Sequence, residues 1–582
     1  MTAPPVPPPV EIRRRSPDPA AERQLPRTLP PLLRRIYSAR GIRTEADYRL
    51  ALTDLHPADG LLDIQTAAER LADEIQQQGK LLILGDYDVD GATGTAVAVR
   101  GLRALGAERL EYLIPNRFHS GYGLNPQVLE AAQALQPDLL ITVDNGIAAQ
   151  TAVAQANDLG IPIIITDHHL PGDELPAAEA IVNPNRSGDP FPSKNLAGVG
   201  VIFYLLAAVR AQLRARGWFH GDRPEPNLGR LLDLVALGTV ADVVSLDRNN
   251  RILVHQGLVR IRSPQGNPGI RALLRIAGRN PDRAVAQDLA FAVAPRLNAA
   301  GRLDDMSLGV ACLLAETPEA RSLAKELDQL NRDRRQIEGD MKRQAETELR
   351  DLEQRQAALP PGLCLYRPDW HQGLTGILAG RMRERWHRPV IAFAPTGAGR
   401  LQGSGRSVEG LHLRDLLGEI DRQHPELIAG FGGHAMAVGL RLSESQLPTF
   451  RAVFSEAVGQ AIGETPRARI LLSDGALGPR DFNLHTAQLL RQAGPWGKDF
   501  PEPLFDGEFH VLQYQWVGKD QHLRLRVRSV AGGFPLGAIA FYWQGAVPEG
   551  GTLAHLAYHL DVNEFRGVLA PQLLVVHLEW LD

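Results

Sequence analysis

The sequence predicts an α/β protein: a parallel-sheet domain, a smaller second α/β domain, a long helix joining the two, and a C-terminal β-barrel. Three patterns carry that expectation. Between residues 80 and 170, short Leu/Ile/Val runs alternate with segments of helical spacing, the signature of strands and helices in a doubly wound sheet. Residues 317–357 are dense in charge and in good helix formers, which reads as one long helix. The last stretch, 466–582, holds short alternating segments such as HLRLRVR and PQLLVVHLEW, suited to a small barrel.

Residues 1–35 are rich in Pro and Arg and are expected to form a flexible or extended tail. The first α/β domain is expected over 36–315. In it LLILGDYD, EYLIP, DLLITVDNG and IPIIITDHH read as strands, and TGTAVAVRGLRALG, PQVLEAAQAL and AAQTAVAQANDLG as helices. Continuous apolar runs fit strands covered on both faces. Residues 197–300 read as mostly helical, and VGVIFYLLAAV (199–209) as a buried helix too short to span a bilayer. The connecting helix is expected over 316–357 and the second α/β domain over 358–460, opening with GLCLYRPDWHQG. No repeat of solenoid period is present.

Composition narrows the chemistry. Of 582 residues, 44% are hydrophobic and 22% charged, which excludes global disorder. The formal charge of −4 excludes a polycation, so any nucleic-acid footprint must be local. Two cysteines, Cys312 and Cys364, exclude a disulfide framework and a four-cysteine zinc module; both sit in apolar contexts and read as inert core residues. Metal sites, if present, must use Asp, Glu and His. The N-terminus lacks the apolar core of a secretory signal, so a cytoplasmic, membrane-free protein is expected.

The strands of the first domain end in metal-type ligands. LLILG runs into Asp86, Asp88 and Asp90; LLITV into Asp144; IPIIIT into Asp167, His168 and His169; and LGTVADVV carries Asp242. In a parallel sheet these ends line one crevice. An aspartate there is often only the N-cap of the next helix, but so many carboxylates with two imidazoles would repel strongly without a cation. Mixed oxygen and nitrogen ligands suit Mn²⁺ and mainly oxygen ligands Mg²⁺. Two such ions about 3.5–4 Å apart are the usual device for in-line attack on phosphorus.

DYDVDG, VDNG, DHH and GTVADV, in this order, resemble the DHH phosphoesterase superfamily. RLNAAGR (296–302), DWHQGLTGILAGRM (369–382), GSGRS (403–407) and GFGGHAMAVGL (430–440) extend the likeness to the bacterial RecJ exonuclease family, including its DHHA1 domain, and AGPWGKDFPEPLF (493–505) resembles the start of that family's OB-fold. The resemblance covers residues 35–582. It implies a single-stranded-DNA-specific exonuclease working 5′→3′ with two Mn²⁺ or Mg²⁺ ions, releasing nucleoside 5′-monophosphates in recombination and repair. It further implies a monomer, and single-strand-binding protein and a RecQ-type helicase as partners. By carry-over, Asp88 and Asp90 are the DxD ligands, Asp144 bridges the two metals, His168 and Asp242 complete one site, His169 contacts the scissile phosphate and Asp167 orients the histidine pair. One departure stands out: several relatives carry a His where this chain has Leu84, which leaves one metal short of a ligand unless Asp86 substitutes.

A pocket for the terminal phosphate would use Arg, whose planar fork matches phosphate oxygens. Candidates are Arg117, then Arg296, Asn298 and Arg302 in RLNAAGR, then Ser404 and Arg406 in GSGRS, with His434 as a further donor. Arg296 and Arg302 also fit structural ion pairs. Trp370 and His371 read either as core or as a stacking or phosphate contact near the cleft. Arg524, Arg526 and Arg528 alternate with Leu525 and Val527, which places three guanidiniums on one strand face of a barrel domain whose net charge is −2. Two other functions compete: a phosphoesterase for short oligonucleotides or cyclic dinucleotides, whose known forms are shorter and lack the barrel, and a structural replication partner, whose known forms have lost metal ligands.

Overall fold

The structure, a computed structural model, describes residues 10–118, 121, 123–356, 359–462, 469–518, 521–543, 545, 547, 553–565 and 567–581. The chain divides into two compact units: Ile12–Asp328 with Leu472–Asp582, and Gln329–Leu471 with Glu11 and its neighbour Val10.

The expected tail is corrected over the residues described. Strand β1 (Val10–Arg14) and the helices Pro19–Gln24 and Pro31–Ser38 are formed, and Leu25, Leu33 and Ile36 are buried. Arg14 pairs with Asp506 at 2.7 Å, and the Arg40–Asp474 pair at 2.6 Å is almost fully buried. A buried pair survives only when both ions are satisfied, and Arg40 adds hydrogen bonds to the carbonyls of Ile36 and Pro501. Arg14, one of the arginines that suggested a solvated tail, thus has a carboxylate partner at the far end of the sequence. Residues 1–9 lie outside the described residues, as do the expected boundaries at 357–358 and 466.

Five strands form the first sheet: β2 (Leu81–Leu84), β3 (Leu110–Leu113), β4 (Leu139–Val143), β5 (Ile163–Thr166) and β6 (Ala180–Val182). All pairs are parallel and the order is β3-β2-β4-β5-β6. β2, β4 and β5 are buried throughout, which explains their unbroken apolar runs. The chain steps outward from β2 to β3 and then returns to β4 on the other side of β2. Connections therefore diverge above the carboxyl ends of β2 and β4, and that divergence opens a crevice.

Behind the crevice runs the helix Gly198–Ala215, mostly buried. It is the one described helix long and apolar enough to cross a membrane, and its burial marks it as a core helix. It packs with the helices Val89–Leu105 and Leu232–Ala241. A π-turn, Leu289–Val293, leads into the helix Ala294–Leu303. The long helix is continuous over Thr317–Gln356.

The second unit holds β7 (Leu363–Tyr366), β8 (Val390–Gly397), β9 (Arg400–Arg406), β10 (Gly430–Gly433) and β11 (Ala437–Ser443), in the order β10-β11-β9-β8-β7. Only β7 and β8 run parallel. Phe393, Phe450 and Phe454 anchor its core.

After β12 (Arg469–Ser473) come the barrel strands β13 (Phe505–Val517), β14 (His522–Ser529), β15 (Leu536–Ala540), β16 (Leu553–Phe565) and β17 (Val568–Trp580). They close in the order β13-β14-β15-β17-β16. The barrel belongs to the same compact unit as the parallel sheet. Arg491 reaches Asp288 at 3.5 Å, Leu246 N–H donates to the Lys498 carbonyl at 2.9 Å, and Arg251 lies over the Phe500 ring at 4.3 Å.

Candidate active site

Three loops and one helix end build the crevice. Beyond β2, Asp88 caps the helix Val89–Leu105, with Oδ1 accepting from Gly91 N–H at 3.0 Å. The capping role that a strand-end aspartate often has is therefore real for Asp88, and it coexists with a place in the cluster. Asp90, in the first turn, is buried. Its two oxygens accept from Gly198 N–H (2.7 Å) and Val199 N–H (3.0 Å), the unpaired amides that start the core helix Gly198–Ala215.

Beyond β4, Asp144 is buried and adopts φ 66°, a left-handed conformation uncommon for a non-glycine residue. Its neighbour explains how it fits: a Cβ at Gly198 would stand 2.5 Å from the Asp144 Cβ, so only glycine allows the helix start to approach. Asp242 follows the helix Leu232–Ala241, its N–H closing that helix on the Gly238 carbonyl.

Beyond β5, Asp167 organises the histidine pair. Its Oδ1 accepts from the His168 and His169 backbone N–H groups (2.7 and 3.1 Å) and lies 2.7 Å from His169 Nδ1; its Oδ2 accepts from Ile147 N–H at 2.9 Å. The carbonyl side of the same loop is held by two asparagines that follow β6. Asn183 Nδ2 donates to the His169 carbonyl at 2.9 Å and Asn185 Nδ2 to the His168 carbonyl at 2.6 Å. Asn183 Oδ1 in turn accepts from Asn185 N–H at 2.8 Å.

These elements bring the ligand atoms into three groups, each within 4.8 Å: Asp86, Asp88 and Asp144; Asp90, His168 and Asp242; and Asp144, His168 and His169. His168 Nε2 lies 3.1 Å from Asp144 Oδ1, 3.7 Å from Asp242 Oδ2 and 3.9 Å from Asp90 Oδ2. Burial, reinforced by neighbouring carboxylates, holds Asp86, Asp90 and Asp144 well above the usual carboxylate range. Burial also raises Asp242 and lowers His168. Burial works against a charged His169 ring, but the hydrogen bond and charge of Asp167 outweigh it and raise His169 to about 9. For Asp167 the same bond outweighs burial in the other direction and lowers it.

The donor set fits a divalent cation. Asp144 Oδ1 and His168 Nε2 are buried, face each other at 3.1 Å and have no hydrogen-bond partner among the described residues. Leaving a buried polar atom unmade costs about 1–3 kcal/mol, and a positive ion is what two electron-pair donors at that distance share.

Around the loop that carries Asp86, Tyr87 and Asp88, the Arg117 guanidinium stacks over the Tyr87 ring at 4.4 Å. Asn298 and Arg302 lie on the helix Ala294–Leu303, which abuts the same loop: a Cβ at Gly301 would meet the Tyr87 carbonyl at 2.0 Å. Arg296, on that helix, is buried, with Nε on Asp328 Oδ1 at 2.9 Å and Nη1 on the Ala292 carbonyl at 2.6 Å, the structural ion pair that its sequence position also allowed.

In the second unit, Ser404 Oγ meets Thr375 Oγ1 at 3.0 Å, and an Arg406 Nη lies 3.0 Å from where a Gly376 Cβ would stand. Both therefore border the start of the helix Thr375–Trp386. Burial, with Arg383 nearby, lowers the Arg406 pKa. His371 caps the turn Gln372–Leu374 through Nδ1, and His434 is exposed at the end of the β10–β11 hairpin. The stacking role considered for Trp370 is corrected. The residue is 3% exposed and its indole N–H donates to Gln344 Oε1 at 2.7 Å, so it has no open face for a base.

On the barrel, Arg524, Arg526 and Arg528 point outward from β14 while Leu523, Leu525 and Val527 fill the interior. Burial pushes the Cys312 and Cys364 thiols up to about 12; Cys312 is a core residue, whereas Cys364 is half-buried on β7. The residues that motif reading missed are Asn183, Asn185 and the amides of Gly198 and Val199. The available signals were VNPN directly after a strand and AGVGV opening an apolar helix.

Three family models match the chain: the DHH family, N-terminal domain, over residues 80–239; the DHHA1 domain over 360–460; and the RecJ OB domain over 473–577. The chain is 52% identical over 569 residues to the single-stranded-DNA-specific exonuclease RecJ of Salmonella typhimurium, covering 97% of this chain and 98% of that protein. It is similar to a crystal structure of RecJ in complex with Mn²⁺ from Thermus thermophilus, with a TM-score of 0.78, 31% identity, and 98% of this chain and 80% of that chain covered. The Mg²⁺ complex of RecJ from the same organism gives a TM-score of 0.74 at 29% identity, with 98% and 79% covered. With near-complete coverage at this identity, and with a crevice whose buried donors suit a divalent ion, the chain belongs to the RecJ family of single-stranded-DNA-specific exonucleases.

Proposed function

We propose that this chain is a divalent-metal-dependent exonuclease that removes nucleoside 5′-monophosphates from the 5′ end of single-stranded DNA in recombination and repair. The observation that carries the reading is the pair of buried, unpartnered donors Asp144 Oδ1 and His168 Nε2, 3.1 Å apart inside a carboxylate cluster. Asp90, His168 and Asp242 would hold one Mn²⁺ or Mg²⁺, and Asp86 and Asp88 the other, with Asp144 shared because it belongs to groups on both sides. In this reading Asp86 takes the place of the histidine that Leu84 lacks. When bound, the two ions supply positive charge to the scissile phosphate and acidify the attacking water.

The chain's own groups do the rest. Asp167 holds the His169 ring in one orientation and favours its protonated form, so that the ring would offer an N–H to a phosphate oxygen. The amides of Gly198 and Val199 fix the Asp90 carboxylate, which leaves less motion in the ligand set. Arg117 and Arg302 supply cations beside the catalytic loop. Ser404, Arg406 and His434 are the groups proposed to hold the terminal phosphate, and a requirement for that phosphate is what gives a 5′ start. A monomeric, cytoplasmic enzyme recruited by single-strand-binding protein and a RecQ-type helicase completes the reading, on the family resemblance.

A time course with a single strand labelled at either end tests it. Mononucleotides appear first from the 5′ label with Mn²⁺ or Mg²⁺, and none appear with chelator. Earlier release from the 3′ label, or cutting of a circular single strand, overturns it.

A further inference from the structure

The chain approaches the barrel through a tight turn, Gly497–Phe500. Gly497 N–H donates to the Phe500 carbonyl at 2.9 Å, and Phe500 N–H donates back to the Gly497 carbonyl at 3.2 Å. Asp499 takes φ 60°, the left-handed conformation that so short a loop needs. Lys498 stands exposed at the tip. The base of the turn is held firmly. Trp496 and Phe500 are each 4% exposed and stack at 5.1 Å. The Trp496 indole N–H donates to the Leu490 carbonyl at 2.9 Å, and Arg251 covers the Phe500 ring.

The tip is fastened to the loop that follows Asp242. Leu246 N–H donates to the Lys498 carbonyl at 2.9 Å, and a Cβ at Gly497 would stand 2.7 Å from Leu246 Cδ1. Between Asp242 and Leu246, Val243 adopts φ 61°. That conformation is strained for a β-branched residue and persists only where the surroundings impose it. Burial raises the Asp242 pKa, and His168, His169 and Lys498 draw it back down. Of these three, only Lys498 comes from outside the histidine loop, and its ammonium makes no ion pair among the described residues. Exposure alone would make it an ordinary surface lysine; its mounting on a ligand loop sets it apart.

We propose that Lys498 is a further catalytic residue, delivered to the crevice by the turn that leads into the barrel, and that its ammonium contacts the phosphate under attack on the Asp242 side. The inference rests on the exonuclease reading and deepens it. Asp86, Asp88, Asp90, Asp144 and Asp242 must be ionised to hold metal. Their five negative charges exceed the four positive charges of two divalent ions. Asp167 and His169 offset each other. The phosphodiester adds a charge of its own, which grows as the attacking oxygen joins phosphorus, and a cation already in place is worth most at that moment. A lysine suits the task because its compact charge on a flexible stem can follow the phosphate as it is displaced. The barrel's leading turn thereby completes the site that the parallel sheet begins.

The test uses the full chain and a 5′-phosphorylated single strand, with the cleavage rate measured in a single turnover at saturating protein and Mg²⁺. Lys498→Ala lowers that rate about tenfold, the equivalent of ~1.4 kcal/mol, while the protein concentration giving half the maximal rate changes less than about twofold. Lys498→Arg, which keeps the charge, stays within about threefold of the parent, and Lys498→Glu is slower than Lys498→Ala. Mn²⁺ binding to the free protein, titrated by electron paramagnetic resonance, supplies the second readout. It is unchanged or tighter in Lys498→Ala, because a cation beside Asp242 has been removed. Looser Mn²⁺ binding means that the change has displaced the Asp242 loop, and it overturns the proposal. So does an unchanged rate, a loss confined to half-saturation, or a Lys498→Arg protein as slow as Lys498→Ala. Failure of the unaltered protein to degrade any single strand sinks the exonuclease reading itself, a result distinct from these.

Discussion

At the carboxyl ends of β2, β4 and β5, aspartates and histidines are packed out of water with donor atoms facing one another. On β14, three arginines stand in a row in open solvent. Both sets consist of charged side chains placed by strand geometry, yet they differ in what their arrangement costs. An unpartnered atom such as Asp144 Oδ1 is expensive where it lies, so its persistence points to a ligand. An exposed guanidinium is hydrated whether or not it has a partner, so its position alone says little. Burial turns chemistry into information, and the predicted effects fall off in the same order.

The largest effect is expected from Asp144→Ala. Losing the carboxylate shared by two ligand groups lowers the rate of mononucleotide release at least about 1000-fold, or ~4 kcal/mol in the barrier, while single-strand binding measured by anisotropy survives. A rate within about tenfold of the parent would break the claim that the orphaned pair marks a metal centre.

A smaller effect is expected one layer out. Asn183→Ala removes the donor on the His169 carbonyl and the acceptor for Asn185 N–H. Outer-shell partners of this kind are worth about 10–100-fold in activity or metal affinity. The loss is expected in kcat and in the Mn²⁺ dependence, with KM for DNA held, because the change acts through the position of the histidines. A shift in KM alone would assign Asn183 to substrate contact instead.

The smallest effect belongs to the barrel. Replacing Arg524, Arg526 and Arg528 together with Ala removes up to three phosphate contacts, and at about −0.7 per contact the slope of log K against log salt flattens by up to about 2 units. An unchanged slope in a folded variant would place the row among ordinary solvated charges and sharpen the contrast with the crevice.

Much of this architecture is legible in the sequence because it is set by local rules. Strand ends followed by DYDVDG, VDNG and DHH announce the crevice, and the period-two HLRLRVR announces an outward arginine face, since side-chain direction in a strand depends only on residue parity. Other features are invisible at that range. Arg14 read as a tail residue because its partner, Asp506, lies more than 400 positions away. Trp370 read equally as core or as a stacking surface because nothing near it in sequence indicates Gln344. Asn183 and Asn185 belong to none of the motifs that mark the crevice, because only the fold brings their amides onto the histidine carbonyls.

The sequence by itself determined the α/β class, the parallel sheet with a barrel after it, and the residue types able to hold a cation, since hydrophobic period and ligand chemistry are properties of neighbours along the chain. The tertiary structure decided the groupings: Asp86 with Asp88 and Asp144, Asp90 with His168 and Asp242, Arg296 with Asp328. It decided them because the reversal of strand order between β3 and β4, and a helix start at Gly198 with no side chain to hold it off, bring together groups that the chain itself keeps far apart.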